Sequence, residues 1–169
     1  MILPASSAGQ NRPKSILAIY STMVYSSQDY MTIKIFKTKW LARFARRERL
    51  DDASLMSAID RAERGIVDAD LGGGLIKQRV ARAGQGRSGG YRMLLAYRSG
   101  ERAVFLYGFA KNERENIEDA ELLTLREIGA AWLAADAKGI ARALSEDALQ
   151  EVKDGDGNTD DEPPGEGAA

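Results

Sequence analysis

Alternating apolar and polar residues mark four segments of the chain and predict β-strands there. The four segments are Thr32–Phe36, Leu75–Ala81, Tyr91–Arg98 and Arg102–Phe109. Within Leu75–Ala81, a period of two places Leu75, Lys77 and Arg79 on one face of the strand. The last three strands follow one another closely, with Ser99-Gly100-Glu101 as a tight turn, so they are expected to form an antiparallel meander.

Apolar residues at helical spacing predict two helices between the first and second strands. The first is expected from about Lys39 to Arg49. The second should begin at Asp51 or Asp52, because a short carboxylate accepts hydrogen bonds from the free amides of a first helical turn. Gly65 lies where this helix is expected to end.

The region after the last strand is expected to be helical and then disordered. Asn116 is expected to cap a helix with Asp119 at its third position, and a shorter helix is expected over about Lys138–Leu149. Asp154–Ala169 has no aliphatic residue larger than alanine. Such a segment cannot offset the entropy lost on ordering, so we expect a disordered acidic tail.

The order of elements predicts an α+β fold. A small antiparallel sheet in β-α-α-β-β-β-α order would carry two helices on one face, with the first strand inserted beside the later ones. Residues 31–150 are assigned to this domain with its C-terminal helices, and residues 151–169 to the tail. Residues 1–30 are interpreted as an extension, either a translated upstream region before a true start at Met31 or a poorly ordered N-terminal arm.

Charge is distributed very unevenly along the chain. The 169 residues include 24 Lys or Arg and 25 Asp or Glu, for a net charge of −1. Residues 115–169 hold fifteen acids and four bases, whereas Gly72–Ile117 holds nine bases and three acids. The nine are Lys77, Arg79, Arg82, Arg87, Arg92, Arg98, Arg102, Lys111 and Arg114. A sheet with such a basic face is suited to binding a polyanion such as RNA, while an unevenly charged but ordinary solvated surface is the alternative.

Several classes of site and location are excluded by composition. The chain has no cysteine and no histidine, which removes thiolate metal sites, disulfides and the commonest general base. No cofactor is expected. No apolar run approaches the roughly 20 residues of a membrane helix. A soluble cytoplasmic protein is the simplest interpretation.

Lysine and arginine are therefore the candidates for chemistry on RNA. Cleavage without metal uses the substrate's 2′-hydroxyl as the nucleophile, and the protein must accept its proton, stabilise the phosphate and protonate the leaving 5′-oxygen. Nearby cations disfavour the protonated form of a lysine, so Lys77 is the best candidate for proton transfer and Lys111 the next. Arg92 is expected to bind the phosphate purely electrostatically, and Arg114 is a candidate for the same role. Arg79 is expected to lie beside Lys77 on the same face of its strand.

Further residues are candidates for holding RNA. They are Arg82, Arg87, Arg98 and Tyr91. Among the aromatic residues of the strands, at least two are expected in the core; Tyr91 is expected to be exposed because it borders the Gly-rich loop Ala83–Gly90. That loop and Gly72-Gly73-Gly74 lack the Lys-Ser/Thr ending of a Walker loop and are interpreted as flexible turns.

Three short strings resemble the RelE/HigB-type toxins of type II toxin–antitoxin systems. They are KQRV at Lys77–Val80, GRSGGYR at Gly86–Arg92 and GFAKNERENI at Gly108–Ile117. The resemblance covers about residues 31–135 and implies a small ribonuclease that cuts mRNA in the ribosomal decoding site. It also implies a cognate antitoxin, which is expected to be a helix-turn-helix protein encoded next to the toxin.

The resemblance also implies roles for individual residues. RelE-like toxins use a basic pair on the second strand, an arginine after Gly-Tyr and a basic residue after the last strand. These are matched by Lys77 with Arg79, by Arg92, and by Lys111 or Arg114. The C-terminal tyrosine of RelE falls at or near Ile117 here, and the histidines of HigB-type members are missing.

A non-enzymatic function is the other hypothesis. Some relatives with this fold, the ParE branch, act on DNA gyrase and need no cleavage residues. The chain is alternatively a regulatory or phage-derived binding protein that kept only the scaffold.

Overall fold

The computed structural model describes residues 33–82 and 89–154 and has an α+β fold, as the sequence predicts. Its strands are β1 (Lys34–Thr38), β2 (Ala69–Asp70), β3 (Leu75–Val80), β4 (Tyr91–Arg98), β5 (Arg102–Ala110) and β6 (Leu149–Glu151). Its helices are α1 (Lys39–Glu48), α2 (Asp52–Glu63), α3 (Asp119–Ala134) and α4 (Ala137–Ser145). The expectations for residues 1–30, for residues 83–88 of the Gly-rich loop and for residues 155–169 lie outside the described residues.

All six strands belong to one sheet, in the order β2-β3-β4-β5-β1-β6. The meander β3-β4-β5 is antiparallel, as expected, and β1 lies next to β5. The sheet is mixed rather than wholly antiparallel, because β1 runs parallel to β5, with Lys34 opposite Arg102. The direction of β1 follows from the two-helix crossover to β3, which returns the chain to the sheet in the same direction.

The crossover helices α1 and α2 cover one face of the sheet, which confirms the two-helix layer. Thr38 caps α1 by accepting a hydrogen bond from the Leu41 amide at 3.3 Å. Asp51 caps α2 in the same way, from the Ser54 amide at 2.9 Å. The core on this side is apolar and almost fully buried; it includes Leu41, Phe44, Leu55, Ile59, Met93, Leu95 and Phe105.

The second face of the sheet is covered by α3 and α4, so β4 is buried on both sides. The core here includes Phe36, Leu94, Val104, Leu106, Leu133 and Ile140. The cap predicted for α3 was wrong: the helix starts at Asp119, not after Asn116. The carboxylate of Glu121 accepts a hydrogen bond from the Glu118 amide at 3.1 Å, so an acidic pair closes this end instead.

The last helix is shorter than predicted, and an unpredicted strand follows it. The helix predicted over Lys138–Leu149 ends at Ser145, and β6 then pairs antiparallel with β1, with Leu149 opposite Thr38. The amide of Val152 donates to the carbonyl of Ile35 at 2.9 Å, and its side chain is buried. The folded part therefore continues past residue 150.

The three glycines before β3 break the chain where the sequence predicts it. Gly72, Gly73 and Gly74 all have positive φ, at 81°, 64° and 81°, which disfavours other residues. They lie against Arg126 and Leu133 of α3, and the Gly74 carbonyl accepts from the Tyr97 amide at 2.8 Å. This run is thus a structural turn next to the end of β4.

Candidate functional site

Arg92 and Arg79 lie directly opposite each other on β4 and β3. Phe109 of β5 is the partner of Arg92 on the other side. Because Arg92 alternates with Leu94 and Ala96, its side chain lies on the sheet face that α3 covers. The register thus places two arginines side by side in the sheet.

The guanidinium of Arg92 is buried, and no hydrogen bond to it occurs within the described residues. The residue is 9% exposed, and its Nη1 has no hydrogen-bond partner among the described residues. Loss of solvent lowers the pKa of Arg92, the neighbouring Arg79 lowers it further, and Asp68 opposes both effects. A buried cationic donor without a partner is unfavourable in the free protein, so this atom is suited to an incoming anion.

Asp68 holds Arg79 in place. Its Oδ2 accepts a hydrogen bond from the Arg79 amide at 2.6 Å, and its Oδ1 lies 3.9 Å from Arg79 Nε. Arg61 of α2 donates to the same carboxylate at 3.4 Å and to the Arg79 carbonyl at 2.9 Å. Arg79 is therefore fixed and neutralised in part, whereas Arg92 is not.

Lys77 lies on the same face as Arg79 and Arg92, two residue pairs further along the sheet. It is half-buried, opposite Leu94, and lines a small cavity of about 40 Å³ with Phe109, Asn116 and Ile117. Within residues 33–82 and 89–154, no hydrogen bond or salt bridge engages its amine. An amine without such a partner is available to contact a substrate.

The basic residues after β5 differ in their freedom. Lys111 is exposed and follows Ala110, which lies opposite Tyr91, so it belongs to the same end of the sheet as Arg92. Arg114 is engaged: it donates to the carboxylate of Glu121, at 3.1 Å from Nη1, and to the Asn116 carbonyl at 2.7 Å. Glu121 raises the pKa of Arg114, and Arg114 lowers the pKa of Glu121.

The expectation that Tyr91 is exposed was wrong. It is 1% exposed, because it alternates with Arg92 and faces the α1 side of the sheet, edge-on to Phe44. Its hydroxyl donates to the Glu48 carboxylate at 2.8 Å, and burial together with this bond raises the pKa of Tyr91. Arg82 is exposed above the tyrosine ring, at 5.8 Å from its centre, so both residues are separated from Arg92 by the sheet.

Arg98 is not brought to the site either. It ends β4 opposite Arg102, six residues from Arg92 and therefore about 20 Å away. Its Nη1 lies 3.4 Å from Glu101 and donates to the Leu133 carbonyl. Arg87 lies outside the described residues. The structure thus gathers Lys77, Arg79, Arg92 and Lys111 at one end of the sheet.

A family model described as "RelE toxin of RelE / RelB toxin-antitoxin system" matches residues 33–152. The match covers the whole sheet and all four helices. The chain belongs to the RelE toxin family. No curated protein matches it. Membership of this family implies an antitoxin as the partner of the RelE-type toxin. None of the helices in the described part of the chain is long and apolar enough to span a bilayer.

Two residues of this candidate site were missed from sequence. Asp68 lies eleven positions before Arg79, and Glu121 seven positions after Arg114. Neither spacing matches a helical or strand period, because each pair joins residues of different elements. The only signal was the general need of a buried or clustered cation for a carboxylate.

Proposed function

We propose that this RelE-family toxin is a metal-independent endoribonuclease that cuts mRNA on translating ribosomes. The observation that carries the proposal is the buried, unpartnered Nη1 of Arg92 beside Arg79. The cost of an unsatisfied buried donor is about 1–3 kcal/mol, and a phosphate oxygen at Nη1 would remove it. Arginine is also the residue best suited to a phosphate, since its planar group forms two parallel hydrogen bonds.

The proposed reaction is transesterification at one phosphodiester. Neutral Lys77 takes the proton of the 2′-hydroxyl, the 2′-oxygen bonds to phosphorus, and the bond from phosphorus to the 5′-oxygen breaks. A protonated Lys111 gives its proton to that 5′-oxygen. The products are a 2′,3′-cyclic phosphate and a 5′-hydroxyl, so atoms and charges balance. Arg92 and Arg79 stabilise the negative charge that develops on the phosphate oxygens.

Lys111 rather than Arg114 is proposed for the leaving group. A guanidinium does not release its proton in proteins. The guanidinium of Arg114 also forms a salt bridge with Glu121. Lys111 is exposed and at the same end of the sheet as Arg92. Arg114 is instead proposed to orient the chain between β5 and α3.

The proposed partners follow from the same surface. A cognate antitoxin, with a helix-turn-helix domain and encoded next to the toxin, would cover the basic face with an acidic or amphipathic segment. mRNA and the ribosome supply the substrate in the cytoplasm. Translation inhibition and growth arrest are the proposed consequences in the cell.

A second candidate is a non-cleaving member of this fold, such as a gyrase inhibitor. One observation favours it: Lys77 is half-buried in a small cavity that Ile117 also lines, and Arg114 is already paired, so the free protein offers few accessible catalytic groups. This candidate needs no base or acid at Lys77 or Lys111.

Expression of three forms of the chain in bacterial cells tests the proposal. They are the wild type, Arg92→Met, and Arg98→Met as a matched control at the far end of β4. The wild type and Arg98→Met should arrest growth and create new mRNA ends, and Arg92→Met should do neither while remaining folded. DNA-damage signals without new mRNA ends, unaffected by Arg92→Met, would support the gyrase-directed candidate and reject cleavage.

A further inference from the structure

Three aromatic rings form a row beside the proposed cleavage site. Trp40 of α1 stacks on Tyr107 of β5, with 4.6 Å between ring centres and 26° between planes. Tyr107 lies 6.2 Å from Phe109, which is opposite Arg92. Trp40 also stacks on Phe44 at 5.5 Å, so the row is anchored in the α1 side of the core.

An open pocket of about 220 Å³ lies against this row. Tyr107 forms one wall, and Ile117, Glu121, Thr124 and Leu125 form the others. Trp40 does not line it, so the pocket lies on a part of Tyr107 that the tryptophan leaves free. The pocket therefore combines an aromatic ring, two aliphatic walls and polar groups at its rim, which is the composition of a site for a planar, partly polar ligand.

The pocket is adjacent to the proposed catalytic groups. Ile117 lines both this pocket and the small cavity that contains Lys77. Tyr107 lies opposite Leu94, and Leu94 lies opposite Lys77, so two strand spacings of about 4.8 Å separate the tyrosine from the lysine. A ligand in the pocket would thus be next to a phosphate held at Arg92.

We propose that this pocket binds an unstacked nucleobase of the single-stranded RNA, stacked on Tyr107. The inference rests on the proposed function and specifies how the substrate is positioned. Arg114 pairs with Glu121 of the pocket wall, and Lys77 of the adjacent cavity is the remaining charge among the residues that line the two cavities, which favours a polyanion over an apolar protein segment. Arg114 steadies the wall, because its Nη1 lies 3.5 Å from the Tyr107 hydroxyl and its guanidinium bridges to Glu121.

The test measures binding of a fluorescent five-nucleotide RNA with 2′-O-methyl sugars, which cannot be cleaved. The same RNA with one abasic residue at each position in turn removes one base and keeps the phosphates. The proteins are the wild-type chain, Tyr107→Leu, and Thr124→Trp, which fills the pocket from an exposed helix position. Leu123→Trp places the same side chain on α3 at a position that does not line the pocket.

Tyr107→Leu and Thr124→Trp should each weaken binding of the intact RNA by about 5- to 150-fold, the usual range for losing one stacked base. Leu123→Trp should bind like the wild type. For RNA that is abasic at one particular position, wild type and Tyr107→Leu should bind equally. If Tyr107→Leu weakens every abasic RNA as much as the intact one, no base lies on Tyr107.

The outcomes separate this inference from the proposed function. Base-dependent binding at Tyr107 with no cleavage of unmodified mRNA would keep the nucleobase pocket and reject the nuclease. Cleavage that is lost in Arg92→Met but binding that is unchanged in Thr124→Trp would keep the nuclease and reject the pocket. An effect of Thr124→Trp only on antitoxin affinity would also reject the pocket as an RNA site.

Discussion

Arg92 lies directly opposite Arg79 across strands β4 and β3, so two cations share one cross-strand pair. Like charges at such positions are destabilising, and here one of the two guanidinium groups is also buried. Asp68 forms a salt bridge with Arg79, whereas it acts on Arg92 only through the electrostatic effect of its charge. A residue that costs stability and remains unpartnered is best explained by a ligand that it binds.

Replacing Arg92 should therefore stabilise the protein. In Arg92→Met the unpaired buried donor and the repulsion from Arg79 are both removed, while an unbranched chain keeps most of the volume. The free energy of unfolding should rise by about 1–2 kcal/mol, measured by urea denaturation. Arg98→Met, which removes an exposed arginine paired with Glu101, should change it by less than about 0.5 kcal/mol. A large destabilisation by Arg92→Met would mean that Arg92 is structural.

Lys77→Met should separate binding from chemistry. Its side chain is half-buried in a partly apolar cavity, so methionine fits with little change in folding. The single-turnover rate of mRNA cleavage at saturating protein should fall by about 10²- to 10⁴-fold, the usual contribution of a general base. Affinity for the uncleavable RNA should fall much less. Equal rates in wild type and Lys77→Met would remove Lys77 from the proposed reaction.

Glu121→Gln tests the salt bridge to Arg114 without removing the helix cap. Glutamine can still accept a hydrogen bond from the Glu118 amide, as in a capping box. The variant removes one negative charge beside the nucleobase pocket and leaves the charge of Arg114 uncompensated, so RNA affinity should rise by several-fold at low salt. Glu127→Gln, elsewhere on α3, removes the same charge as a control. An equal effect of the two substitutions would assign the gain to net charge alone.

Tyr91→Phe should change how stability depends on pH. The Tyr91 hydroxyl is the main cause that lowers the pKa of Glu48, with Arg47 second. A lowered pKa in the folded state means that the stabilisation is present at neutral pH and is lost as the pH falls through that pKa. Tyr91→Phe should therefore destabilise by about 1–2 kcal/mol at pH 7 and by less near pH 3, in urea unfolding at both values. The same loss at both pH values would contradict this role of Glu48.

Several helices and strands could be predicted from the local periodicity of apolar residues in the sequence. Strand β4 was predicted with its observed bounds, and α1, α2 and β3 to within one or two residues at their ends. These segments have strong periodicity and clear caps, such as Asp51 at the start of α2. Local agreement of this kind does not depend on distant contacts.

The features that were missed depend on contacts between distant parts of the chain. Strand β6 is only three residues long and exists because β1 offers a free edge. Tyr91 is buried because α1 covers its face of the sheet, a fact that its Gly-rich neighbours do not reveal. Arg98 belongs to the same basic stretch as Arg92 but lies at the other end of β4, since a strand is extended.

The most direct test of the account is cleavage of mRNA that carries one 2′-deoxynucleotide immediately before the scissile phosphate. The purified chain should cut unmodified mRNA on translating ribosomes, leaving a 2′,3′-cyclic phosphate and a 5′-hydroxyl. The single 2′-deoxy substitution should abolish the cut at that bond and leave other sites unaffected. Equal cleavage of the deoxy-substituted bond would contradict attack by the 2′-hydroxyl and, with it, the roles given to Lys77 and Arg92.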